Sequence, residues 1–208
     1  GEARIVALRK VALYLKDKLQ PIHANVLRAE KGFIIVGQDT DGSLDPHDMD
    51  MSWIIGKDKD DFIGKAALEA MRGAKNRKKV TFEWNAEDVV NVISSAFRPG
   101  EDHYKWIDFP QPNYASSSAD LILRDGKQVG MSMFNGYSYN ERCMLSLGVV
   151  DADVEVGDVL TLVWGEPEST QKTSAEKHKQ AQIRVRVSPT PYACEARENY
   201  ADSWRTKS

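Results

Sequence analysis

Beyond residue 79 the spacing of apolar residues changes from helical to alternate, and this change constrains the fold more than any other feature of the 208-residue chain. Val80, Phe82 and Trp84 alternate with Thr81 and Glu83 as in a half-buried strand, and Asn85 stands as a helix cap ahead of Val89, Ile93 and Phe97. Leu121 and Leu123, then Arg124-Asp125-Gly126-Lys127, then Val129, Met131 and Met133 predict a hairpin closed by an Asp-Gly turn. Leu145, Leu147 and Val149 predict another strand, VLTLVW at Val159 to Trp164 a more fully buried one, and Ile183, Val185 and Val187 a last one with Arg184 and Arg186 facing out. At least six short strands and one inserted helix imply an antiparallel barrel or sandwich.

The first part of the chain reads differently. Ile5, Leu8, Ala12, Leu15 and Leu19 form a helical stripe that Pro21 closes. Gly32 to Gly37 encloses a compact apolar stretch that predicts a short buried strand or extended segment, and an acidic loop broken by Gly42 and Pro46 follows. Met51 to Ile55 is a second short apolar piece, and Asp61 is expected to cap a helix running to about Met71. Arg72 to Lys79 (RGAKNRKK) carries five positive charges without apolar period, which marks a domain boundary; with no aromatic residues among the charges it reads as a solvated linker rather than a nucleic-acid surface. Glu166 to Lys179 reads as an exposed loop.

At 41% hydrophobic residues the chain can bury a proper core, and 28 basic against 31 acidic residues leave a formal charge of -3, which calls for neither nucleic acid nor an anionic membrane. Cys143 and Cys194 match no disulfide or zinc spacing and are expected to be reduced, buried thiols. The chain opens on Gly1, which reads as a processed or truncated start; no signal-peptide core is present, and no apolar run approaches the ~18 residues of a membrane span, so a soluble cytoplasmic protein is expected. GxGxxG, P-loop, GxSxG and HExxH motifs are all absent. His23, His47, His103 and His178 read as surface or loop residues, and Asp39, Asp41, Asp45, Asp48 and Asp50 lack the closing Glu of a calcium loop, so no metal is expected.

One stretch carries more information. VLRAEKGF at residues 26–33 sets Glu30 just ahead of Gly32, and the chain continues through an ordered series: R-x-E-x-G (Arg28, Glu30, Gly32), G-Q-D (Gly37 to Asp39), W-x-I (Trp53 to Ile55) and D-F-I-G-K-x-A-L (Asp61 to Leu68). This series resembles the late part of the folate-binding region in the aminomethyltransferase family, the glycine-cleavage T-proteins, and within it the alpha subunit of sarcosine oxidase. DLILRDGKQVGMSMFNGYSYNERCMLSLGVVDADVEVGDVLTLVWGEPE and VRVSPTPYACEARENYADSWR resemble the C-terminal barrel of the branch holding the tetrahydrofolate-dependent O-demethylases of vanillate and syringate. Together the two resemblances cover about residues 26–208.

The resemblance implies an α+β fold, with the end of a folate-binding domain at 1–76 and a C-terminal antiparallel β-barrel at 77–208. It implies transfer of a one-carbon unit between a small methyl or amine donor and N5 of tetrahydrofolate. By this resemblance Glu30 faces the pteridine, where a carboxylate can accept two adjacent N–H groups in parallel; Trp53 lines the pocket; and Tyr137, Tyr139 and Arg142 of the GYSYNER turn reach in from the barrel. The residues alone leave other roles open: a surface salt bridge of Glu30 with Arg28 or Lys31, a core position for Trp53, and a turn packed by its own tyrosines. Val36 stands where many T-proteins carry an aromatic residue. The family draws catalytic groups, an important aspartate among them, from an N-terminal half, so no catalytic residue is assigned in this chain, and that half or a partner subunit, flavin-bearing in the sarcosine-oxidase case, is an implied partner. A non-catalytic folate-binding or regulatory module is the rival reading.

Overall fold

The computed structural model describes residues 27–35, 39–40, 43–56, 58–72, 77–110, 119–167 and 176–198; the helix expected at Ile5 to Leu19 lies outside the described residues. Six antiparallel strands, β1 (Arg77–Trp84), β2 (Asp120–Arg124), β3 (Lys127–Ser138), β4 (Cys143–Asp151), β5 (Val159–Trp164) and β6 (Ala181–Ser188), close into a barrel in the order β1-β4-β3-β2-β5-β6. Closure through β1 and β6 leaves no strand edge unpaired, and together with the flanking helices it makes the fold α+β with a barrel rather than a sandwich. The helix Ala86–Ser95 is inserted after β1, capped by the Asn85 side chain on the Asp88 N–H at 3.1 Å.

The interior is filled by Phe82, Ile122, Leu162, Ile183 and Val185, with Trp84 and Trp164 in edge contact, ring centroids 5.4 Å apart. Gly148 of β4 lies beneath Phe82: a Cβ there would stand 2.2 Å from the ring, so the missing side chain is what seats the phenyl group. The Trp84 Nε1–H donates to Ser146 Oγ at 2.9 Å and the Ser132 hydroxyl donates to the same oxygen at 2.8 Å, which satisfies the buried indole.

Several sequence expectations change here. Leu121 is 43% exposed while Ile122 points into the barrel, the reverse of the expected parity. β1 begins at Arg77, and its first residues pair with Val149 to Asp151 of β4, so part of the charged linker is sheet. Phe97 lies beyond the inserted helix and is exposed, and Val89, Val92 and Ser95 are the buried positions. Residues 33–35 form no strand, with Phe33 and Ile35 exposed. The helix Lys65–Met71 is entered through Gly64 at φ 92 with no side-chain cap, so Asp61 does not cap it. His47 and His178 are loop residues as expected, but their side chains are buried: the His47 ring nitrogens lie 2.8 Å from Ser52 Oγ and 3.2 Å from the Leu68 carbonyl, and His178 packs against Glu166. Both cysteines are free, but Cys143 is half-buried and Cys194 exposed.

β4 is buried on both faces. Met144, Ser146, Gly148 and Val150 face inward, whereas Leu145, Leu147 and Val149, the residues that announced the strand, face outward. A register shift in β3 between Ser132 and Asn135 turns Met133 and Phe134 to the same outer wall. Ala29, Ile34, Leu44 and Met49 cover that wall, so residues 27–35 and 43–51 dock on the barrel through apolar burial.

Candidate functional site

The R-x-E-x-G element sits where this docked segment meets the end of the barrel. Arg28 is 5% exposed: its Nε donates to the Phe33 carbonyl at 2.7 Å, its Nη2 pairs with Asp39, and its guanidinium lies 4.1 Å from the Phe134 ring centroid. The arginine of one motif thus holds the aspartate of the next, G-Q-D, while Asp39 also accepts the Ile35 N–H at 2.6 Å. Arg28 Nη1 is buried and has no hydrogen-bond partner among the described residues. Gly32 adopts φ +68, and a Cβ on it would stand 2.7 Å from Thr190 Cγ2, so both its backbone and its neighbour call for glycine.

Glu30 is 4% exposed and is held from the barrel and from the C-terminal segment. Ser138 Oγ donates to its Oε1 at 2.5 Å, and Asn140 Nδ2 lies 3.1 Å from both carboxylate oxygens. Its backbone carbonyl accepts the Tyr192 and Ala193 N–H groups at 2.9 and 3.1 Å. Burial of the negative charge is offset by these donors, since an unpaired buried carboxylate is costly. Beside this cluster the Lys79 amine approaches the Gly32 carbonyl at 3.4 Å; burial pushes its pKa below the ordinary lysine value, partly offset by Asp50. On the outer side of β1, the Tyr192 hydroxyl donates to Glu83 at 3.1 Å and receives the Cys143 thiol at 3.8 Å; burial pushes the tyrosine pKa up and the thiol pKa to about 11.

The structure brings Glu30 together with the GYSYNER turn, through Ser138 and Asn140. Tyr137 packs beneath the turn, its ring centroid 5.5 Å from Phe109 and 5.1 Å from Tyr139, and its N–H donates to the Pro110 carbonyl at 2.7 Å. Tyr139 is exposed, and so is Arg142, which takes a left-handed backbone at φ 56. Trp53, in the short 3-10 helix Ser52–Ile54, is 78% exposed. Ser138 and Asn140 were not singled out by sequence reasoning. Strand alternation was the available signal: Ser138 falls on the face opposite Tyr137, the one turned to the docked segment. Among the described residues no group of three or more His, Cys, Asp or Glu side chains is placed to hold a metal ion, and no helix is long and apolar enough to cross a membrane.

No protein-family model matches the chain. It is 44% identical over 156 residues to a syringate O-demethylase of Sphingobium sp., which covers 74% of this chain and 34% of that protein. It is 51% identical over 55 residues to the alpha subunit of a sarcosine oxidase of Corynebacterium sp., 26% of this chain and 6% of that subunit. It is 26% identical over 140 residues to an aminomethyltransferase of Thermotoga neapolitana, 67% of this chain and 31% of that protein. The chain therefore spans about a third of the length of the demethylase and the aminomethyltransferase. With demethylase and aminomethyltransferase relatives matching most of its length, and the oxidase subunit matching a shorter stretch at higher identity, the chain belongs to a T-protein-like family.

Proposed function

We propose that this chain forms part of a tetrahydrofolate-dependent one-carbon transferase, acting on a methyl donor such as an aryl methyl ether or on an amine. The observation that carries the reading is the fixed, buried carboxylate of Glu30 at the junction of two structural units, which we take as residues 1–76 and 77–208. The donor set fits a pterin. A carboxylate oxygen has two lone-pair sites; among the described residues Oε1 of Glu30 takes Ser138 and Asn140, whereas Oε2 takes Asn140 alone and keeps one position open to a ligand. Arg28 Nη1 adds a buried donor that has no partner among the described residues. Tetrahydrofolate, when bound, carries the one-carbon unit on its N5. The work of this chain is orientation: Glu30 accepts a pterin N–H at Oε2, and Trp53, Tyr137 and Arg142 contribute ring and charge contacts to the same ligand. The exposed indole of Trp53 is available for stacking.

The relatives' names extend the reading to its donors and partners: a demethylase favours an aryl methyl ether, and an oxidase subunit favours assembly with a further subunit or domain. The free thiols of Cys143 and Cys194 suit a reducing, cytoplasmic setting. A non-catalytic docking module is the second reading, favoured by the hydrogen bonds that already engage both oxygens of Glu30 within the chain. Calorimetric titration of tetrahydrofolate into this chain and into the product of its complete reading frame separates them. Binding by the complete product that Glu30→Gln weakens by about tenfold supports the transferase reading. No binding by either leaves the docking module.

A further inference from the structure

We infer that Ser138 and Asn140 are positioning residues of the folate site, filling one oxygen of Glu30 so that the other is the single acceptor offered to a ligand. The inference rests on the folate reading of Glu30 and adds which oxygen serves and what aims it. Ser138 Oγ accepts the Glu141 N–H at 2.9 Å, which leaves its own hydrogen directed at Glu30 Oε1, 2.5 Å away. Asn140 Nδ2, equidistant at 3.1 Å from the two oxygens, holds the carboxylate plane against rotation. With Oε1 saturated, a ligand N–H can enter only at Oε2. Both positioning groups belong to the barrel, so the barrel sets the ligand geometry of a residue outside it.

The main chain of Glu30 is held separately, by the Tyr192 and Ala193 N–H groups on its carbonyl. This separation makes a positioning role distinguishable from a structural one. Tetrahydrofolate is titrated into the product of the complete reading frame carrying Ser138→Ala, Ser138→Thr, Asn140→Ala or Glu30→Gln, with amide exchange followed at Tyr192 and Ala193. The expected result is a loss of affinity of roughly tenfold in each alanine variant. Ser138→Thr should keep near-native affinity because it keeps the hydroxyl, and exchange at Tyr192 and Ala193 should stay unchanged throughout. Unchanged affinity in both alanine variants, with affinity lost in Glu30→Gln, overturns the positioning role and leaves the folate reading intact. Exchange that rises in step with the affinity loss also overturns it, because the residues would then only hold the segment down. Full affinity in Glu30→Gln removes the folate reading and this inference with it. Asn140 lies in an exposed turn, so its alanine variant keeps the test decisive should Ser138→Ala fold poorly.

Discussion

Replacing Gly32 by alanine tests the docking of the R-x-E-x-G element most directly. At φ +68 an L-residue costs about 1–2 kcal/mol in backbone strain. The added methyl would also stand 2.7 Å from Thr190 Cγ2, a distance that something must relieve. Thr190 cannot simply turn away, because its Oγ1 lies 2.6 Å from Thr81 Oγ1 and rotation would break that hydrogen bond. Overpacking of this kind adds about 1–2 kcal/mol, for a total loss of about 2–4 kcal/mol. In a chain of this size the loss lowers the melting temperature by roughly 5–15 °C. Urea titration followed by circular dichroism measures the free energy, provided the slope is unchanged. The steric part is isolated by Thr190→Ser, which removes Cγ2 and keeps the hydroxyl. The double variant should recover about 1–2 kcal/mol of the Gly32→Ala loss and leave the backbone part in place. A loss under about 0.5 kcal/mol, or no recovery in the double variant, would refute the reasoning.

Two further outcomes follow from the titrating groups. With its thiol pKa raised to about 11 by burial, Cys143 should resist a disulfide reagent near pH 8 while exposed Cys194 reacts, so the native protein shows one accessible thiol and the unfolded protein two; equal rates would contradict the packing of Tyr192 over Cys143. The hydrogen bonds from Arg184 hold the Asp88 carboxyl below the usual carboxylate range, so this pair stabilises the fold above the unfolded value of ~3.9 and the contribution is lost as pH falls through the depressed folded value. Because the Arg184 side chain is 55% exposed and that of Asp88 21%, solvent screens the pair, and Asp88→Asn should cost no more than about 1 kcal/mol near pH 7. That cost should shrink toward zero near pH 2; the same cost at both ends would show that the charge plays no part.

The barrel was legible because its strands alternate, and the six segments fall where the apolar spacing puts them. What alternation could not decide was which face looks inward when both are apolar. In Leu121-Ile122-Leu123 only the middle residue enters the barrel, and in β4 the leucines that mark the strand belong to a second interface. That interface exists because residues 27–35 and 43–51 cover it, a contact between segments distant in sequence. At the site, Glu30 and Gly32 were legible as members of a motif, but their partners were not. The Arg28 pairing with Asp39, the seating of Gly32 against Thr190 and the grip of Ser138 and Asn140 on Glu30 all depend on tertiary closure. Ser138 and Asn140 were further hidden by their neighbours, since the tyrosines beside them are the larger and more conspicuous groups.

The covered wall of β3 and β4 also decides where the protein can be divided. A polypeptide begun at Arg77 would keep all six strands and the closed hydrogen-bond circuit. It would also carry Met133, Phe134, Leu145, Leu147 and Val149 into water as one contiguous apolar surface. Surfaces of that kind drive self-association, so the isolated barrel should fold and then precipitate. Polar replacement of Leu145 and Leu147 would keep the excised barrel in solution, and the same two changes would loosen the segment carrying Ala29 and Ile34 from the undivided chain.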